Sequence, residues 1–171
     1  MRPLASSDYH RGFVEVLSCL VETPDQGEAA WTERFNAMVA ANGTYFPIVI
    51  VSKATDRIVA MGTVVVELKF FRGLTRVGHV EDIVVDTRLH SKGLGKIIVQ
   101  TVMKIAESKG CSNIILNCSD EKKRKFSLTN IAFCFETRVL TLSFFVWHAS
   151  IAFYEKCGFS YSGLQMAKRI C

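Results

Sequence analysis

Seven consecutive residues, His90-Ser91-Lys92-Gly93-Leu94-Gly95-Lys96, follow the apolar run Ile83-Val84-Val85 and open the most regular amphipathic stretch of the chain. Glycines at Gly93 and Gly95 let the backbone come close to an anion. The first turn of a following helix adds N–H groups without intrahelical partners and the positive end of the helix dipole. The chemistry suited to such a junction is the holding of a phosphate. A plain turn into a helix can carry the same residues, so the loop needs its context. A second chemical feature is the pair of adjacent acids Glu81-Asp82, just before the apolar run. Strand alternation sends their side chains to opposite faces, so that at most one looks into a given cleft.

The elements that must position these residues follow from periodicity. Leu94, Ile97, Ile98, Thr101, Val102 and Ile105 fall on one helical face, and Lys109-Gly110 ends that helix. Tyr45 to Val51 and Ile58 to Leu68 are expected as strands joined by a turn over 53–57, with a further strand from about Val77 to Val85. Asn113 to Cys118 is expected as a short buried strand, making a parallel crossover around the glycine-loop helix. Upstream, Ser7 or Asp8 is placed to cap a helix through Phe13, Val16, Leu17 and Leu20. Trp31, Phe35 and Met38 mark a second core-facing helix. Downstream come a short helix near Ile151 to Lys156, a turn at Cys157-Gly158-Phe159 and a last strand through Leu164 to Ile170. The sum is an α/β chain with a mixed central sheet flanked by helices on both faces.

Bulk properties fit one compact domain over 1–171, since 171 residues with 49% apolar and 22% charged side chains suffice for a full core. The net charge of +5 suits an anionic ligand and is too scattered to argue for nucleic acid. The one basic cluster, Lys122-Lys123-Arg124-Lys125, reads as a solvated loop edge. Six cysteines without a C-x-x-C pair or histidines at ligand spacing suggest neither a metal site nor a disulfide framework, and read as reduced thiols of a cytoplasmic protein. No stretch has the length and apolarity of a membrane span.

Three strings resemble the GNAT acetyltransferase superfamily, and within it the branch that acetylates glucosamine 6-phosphate: Gly78-His79-Val80-Glu81-Asp82-Ile83-Val84-Val85, Gly110-Cys111-Ser112-Asn113-Ile114-Ile115-Leu116 and Phe153-Tyr154-Glu155-Lys156-Cys157-Gly158-Phe159. The resemblance implies the GNAT fold, acetyl-CoA as acetyl donor with no metal, a phosphosugar acceptor and a homodimer. It assigns coenzyme binding to Ile83, Val84, Val85, His90, Ser91, Lys92, Gly93, Leu94, Gly95, Lys96, Ser150 and Tyr154, with a main-chain N–H of Ile83-Val84-Val85 as an oxyanion hole. Tyr154 stands where the family places a hydroxyl to protonate the departing thiolate. Glu81 and Asp82 are implied to orient the amino sugar, and Thr23, Lys69, Phe70, Phe71, Arg72, Asn117 and Arg169 to border it. Arg169 is implied to bind the sugar phosphate across the dimer interface.

The chain departs from that pattern in four places. His90 stands where relatives carry Arg or Gln, and Asn117 where several have an aspartate that helps handle the amine proton. An amide is no base, so water or another carboxylate must serve. Thr23 is the nearest match to a substrate-touching Leu-Thr turn. The largest departure is an insertion of about 28 residues, roughly 122–149, longer than a compact domain's usual connection. Its Phe126, Phe133, Phe135, Phe144, Phe145 and Trp147 are too apolar for a solvated linker. Three readings therefore stand: the phosphosugar acetyltransferase, an insertion-impaired form that still binds coenzyme A or dimerises, and a GNAT enzyme for another small amine.

Overall fold

A computed structural model describes residues 1–117 and 153–160, which belong to two units, 1–117 and 118–171. The insertion, Ser150, Arg169 and the strand expected over 164–170 lie outside the described residues.

The first unit is built on a five-stranded sheet in the order β1-β2-β3-β4-β5, with β1 at Arg2–Pro3, β2 at Tyr45–Val51, β3 at Ile58–Leu68, β4 at Arg76–Val85 and β5 at Cys111–Leu116. Neighbours are antiparallel up to β4, and β5 joins β4 in parallel. The crossover between them is the helix α3, Leu94–Ser108, preceded by helices α1 (Phe13–Leu17) and α2 (Glu28–Ala40) earlier in the chain. Strand β5 begins at Cys111, two residues before its expected start, and its residues are at most half-buried.

Both sheet faces carry a core. On one, Ile98, Val99, Val102 and Ala106 of α3 are buried against the sheet, where Gly62 and Gly78 lie beneath them. A Cβ at Gly62 would stand 2.5 Å from Ile98 Cγ2 and 2.6 Å from Ile83 Cδ1, so the helix sits as close as the bare backbone permits. On the other face, Val16 of α1 packs with Val49, Ile58, Met61 and Val84, flanked by Leu4, Phe13 and Leu17.

Three expectations need correction. The buried face of α3 is rotated from the one read off the sequence: Val99 and Ala106 are fully buried, whereas Ile97 is 45% exposed. The small Ala106 is what fits over Gly78, where a Cβ would already stand 3.0 Å from its own. The first helix is split into a 3-10 turn, Ser6–Arg11, and the short α1, because Gly12 takes a left-handed conformation at φ 80°. Leu20 lies beyond α1 and is half exposed. Asp8 is no N-cap. It is fully buried, with its carboxylate accepting from Arg2 Nη1 and Nη2 at 2.7 and 2.6 Å and from the Ala5 N–H at 2.8 Å. Finally, α2 has no fully buried residue, and its Trp31 stacks on Phe35 at 5.5 Å and meets Phe13 edge-on at 5.4 Å.

In the second unit, residues 153–156 form a single helical turn closed by Gly158 at φ 94°. The Phe159 N–H donates to Tyr154 O and the Gly158 N–H to Glu155 O, the paired bonds of a Schellman ending. Phe159 meets the Tyr154 ring edge-on at 6.2 Å, as such an ending favours.

Candidate active site

The site begins with an irregularity in β4. Met61 pairs with Val84 and Thr63 with Glu81, so the single residue Gly62 of β3 stands opposite two of β4 and the strand bulges at Asp82-Ile83. Asp82 takes φ 54°, a left-handed conformation seldom adopted by a residue with a side chain. Regular alternation of Glu81 and Asp82 therefore stops at this point, inside the strand rather than at its end. Desolvation raises the Asp82 carboxyl above the ordinary aspartate range, although the residue as a whole is exposed to solvent. Glu81 is half-buried; burial raises its carboxyl, the neighbouring Asp82 charge raises it further, and His79 opposes both.

Among the described residues, β4–β5 pairing stops just before the bulge. The last residue pair between β4 and β5 is Val80 with Leu116, and among the described residues no strand pairs with 81–85 on that side. Among the described residues, the main-chain groups of Ile83, Val84 and Val85 on that side have no strand partner, and a free N–H there is what an oxyanion-binding strand requires. Asn117 follows Leu116 directly, bringing it close to Glu81 in sequence register.

The chain then turns into the glycine loop. Asp86, 5% exposed, accepts from the Arg88 N–H at 2.9 Å and from the Arg88 guanidinium, while its own N–H donates to Val59 O at 2.9 Å. The Arg88 guanidinium first, and its backbone N–H second, hold the Asp86 carboxyl down at about 2. His90 directs Nε2 to Val85 O at 3.1 Å, so its ring fastens the loop to the strand end. Ser91 at φ 62° and Gly93 at φ 79° are both left-handed, and Gly93 is the N-cap of α3 with no side-chain cap. Such alternation turns successive N–H groups into one concavity, a cradle for an anion. Nothing lies within 4 Å of the space a Cβ at Gly93 would fill, and Lys92 and Lys96 are exposed beside it. The loop therefore has the shape, donors and charge to fit a pyrophosphate.

The other expected residues are placed as follows. Thr23 donates its hydroxyl to Val21 O at 2.8 Å within its own turn. Lys69, Phe70, Phe71 and Arg72 lie at the far end of the β3–β4 hairpin, where the turn Phe71–Leu74 has Arg72 at φ 48°. Phe70 is 96% exposed, and Lys69 and Arg72 approach the Phe71 ring at 5.9 and 6.0 Å. Six residues of β4 separate that end from Asp82, about 20 Å of strand, so one hairpin does not bring both to a single small molecule. Tyr154 stands on the single turn of the second unit. The bulge itself was not foreseen, and the positive-φ aspartate leaves no mark in composition or periodicity. Among the described residues, no cluster of three or more His, Cys, Asp or Glu is arranged to hold a metal, and no helix is long and apolar enough to cross a membrane.

Known proteins share this layout. The acetyltransferase (GNAT) family matches residues 12–126. The chain is 35% identical over 166 residues to glucosamine 6-phosphate N-acetyltransferase 1 of Oryza sativa subsp. japonica, covering 97% of this chain and 84% of that protein. It is 34% identical over 166 residues to glucosamine 6-phosphate N-acetyltransferase 1 of Dictyostelium discoideum, covering 97% and 87%. Among solved structures, glucosamine-6-phosphate N-acetyltransferase from Arabidopsis thaliana superposes with a TM-score of 0.78 at 32% identity, covering 99% of this chain and 97% of that one.

Proposed function

Because the chain belongs to the acetyltransferase (GNAT) family, and within it to the glucosamine 6-phosphate N-acetyltransferases, we propose that it moves the acetyl group of acetyl-CoA onto the amine of D-glucosamine 6-phosphate. The product is N-acetyl-D-glucosamine 6-phosphate, a precursor for UDP-N-acetylglucosamine biosynthesis. The observation that carries this reading is the continuity of bulge, open strand edge and glycine loop: the strand edge of 83–85 leads within a few residues into the cradle at 90–96.

In this reading the N–H groups around His90 to Lys96 hold the pyrophosphate, and a main-chain N–H of Ile83-Val84-Val85 receives the charge that grows on the thioester oxygen. The sugar nitrogen bonds to the carbonyl carbon as the carbon–sulfur bond breaks. Tyr154 gives its proton to the leaving thiolate. Asn117 cannot take the amine proton. That falls to a carboxylate of Glu81 or Asp82 or to a water they orient, and burial makes both carboxylates better bases than exposed ones.

A homodimer answers the separation of the hairpin turn from the bulge. In it a second copy brings Arg169 to the sugar phosphate, and Lys69 to Arg72 border the sugar across the interface. We place the reaction in the cytoplasm. The alternative, an insertion-impaired form, rests on the position of 122–149 between Asn117 and the Tyr154 turn.

The test is release of coenzyme A thiol by the full-length chain, with glucosamine 6-phosphate as acceptor and glucosamine as control. Release that needs the phosphosugar is expected. Soluble, folded protein that binds acetyl-CoA without turnover supports the impaired form, and equal use of both sugars supports another amine.

A further inference from the structure

Two charged or titratable residues on the β3–β4 hairpin, Glu67 and His79, have no part in the roles above. Glu67 uses both carboxylate oxygens: Oε1 accepts from the Lys69 ammonium, and Oε2 meets His79 Nε2 at 2.9 Å. Val65 pairs with His79 and Thr63 with Glu81, with no register shift between them. His79 and Glu81 thus share the sheet face opposite α3, two residues and about 7 Å apart along β4. Lys69, Glu67, His79 and Glu81 form a ladder of alternating charge that ends beside the bulge. The His79 side chain is only 28% exposed, so its field at Glu81 is less screened than that of a surface charge.

Resting on the amino-sugar reading of Glu81, we propose that His79, anchored by Glu67, is a positioning residue for the Glu81 carboxylate, holding it as the anion that receives the ammonium of the amino sugar. Two influences work against that anion, burial and the adjacent Asp82 charge, and His79 is the group that opposes them. The Glu67 bond at 2.9 Å anchors the imidazole on the sheet face that it shares with Glu81. Other charges facing the pair among the described residues are few. On β3 the Lys69 ammonium is engaged by Glu67, and on β4 Asp82 follows Glu81. From β5, Ile115 opposite His79 brings no charge, and on α1 the Glu15 carboxylate is held by Arg57 at 3.0 Å.

The experiment compares wild type, His79→Gln and His79→Arg by thiol release with glucosamine 6-phosphate, from acid to mildly alkaline pH. With His79→Gln, the acid limb of kcat/KM for the phosphosugar is expected to move up by roughly one pH unit, with KM for acetyl-CoA unchanged. His79→Arg keeps a cation and a bond to Glu67, and is expected to return the limb to the wild-type position or below. A Gln profile that superposes on wild type, or an Arg variant that melts like wild type yet leaves the limb displaced, overturns the inference. Wild-type protein with no phosphosugar-dependent release overturns instead the functional reading beneath it.

Discussion

Asp86 holds the entry to the glycine loop through hydrogen bonds to a single neighbour's backbone and side chain. Its carboxylate is buried, whereas the Arg88 side chain is 86% exposed, so the ion pair itself is partly screened and its worth is held to that of an ordinary capping contact. Asp86→Ala is expected to cost about 1 kcal/mol, the ordinary worth of a side-chain cap. The pH dependence has a definite sign. The folded-state carboxyl titrates at about 2, below its ordinary value of 3.8, so its contribution is present above that ordinary value and fades as pH falls through about 2. Melting temperatures of wild type and variant measured across this range should converge towards the acid end; a constant gap would show that the charge is not what stabilises the loop. Asp8 illustrates how far such assignments were legible. A short acid near a helix start was visible in the sequence, but its burial under Arg2 was not, since nothing local signals that the first strand passes overhead.

Strands were the most legible elements, because β2 and β3 alternate or run apolar over their whole lengths and end at a clear turn. Helix α3 was legible in extent and misread in phase. Periodicity counts apolar residues, whereas the buried stripe is chosen by what lies beneath, here the bare backbones of Gly62 and Gly78. Gly62→Ala tests this packing. The added methyl meets Ile98 Cγ2, on the branch of a fully buried side chain, and the Ile83 Cδ1 end, and should destabilise by about 1–3 kcal/mol. Because Ile83 belongs to the bulge, KM for acetyl-CoA should rise along with the loss of stability. Chemical denaturation and steady-state kinetics on one preparation check both, and a stable variant with altered KM would separate the two effects.

At the scale of the whole molecule, the proposed site draws on more than one chain. Arg169→Ala is expected to raise KM for glucosamine 6-phosphate at least tenfold, the order expected on losing one charge-assisted contact, with a far smaller change for acetyl-CoA. Equal changes for both substrates would remove Arg169 from the phosphate site. Mixing this variant with Tyr154→Phe should restore part of the activity if complementary residues come from different copies. The expectation of such cooperation comes only from resemblance, as no periodicity encodes what a second copy would contribute. The bulge at Asp82 has a separate consequence for anyone redesigning this scaffold. A procedure that idealises backbone geometry would delete that residue, relieve its left-handed torsion and let β4 continue in register along β3. The gain in regular pairing would come at the expense of the site proposed at the bulge, so a selection for heat resistance alone would work against the residue at position 82.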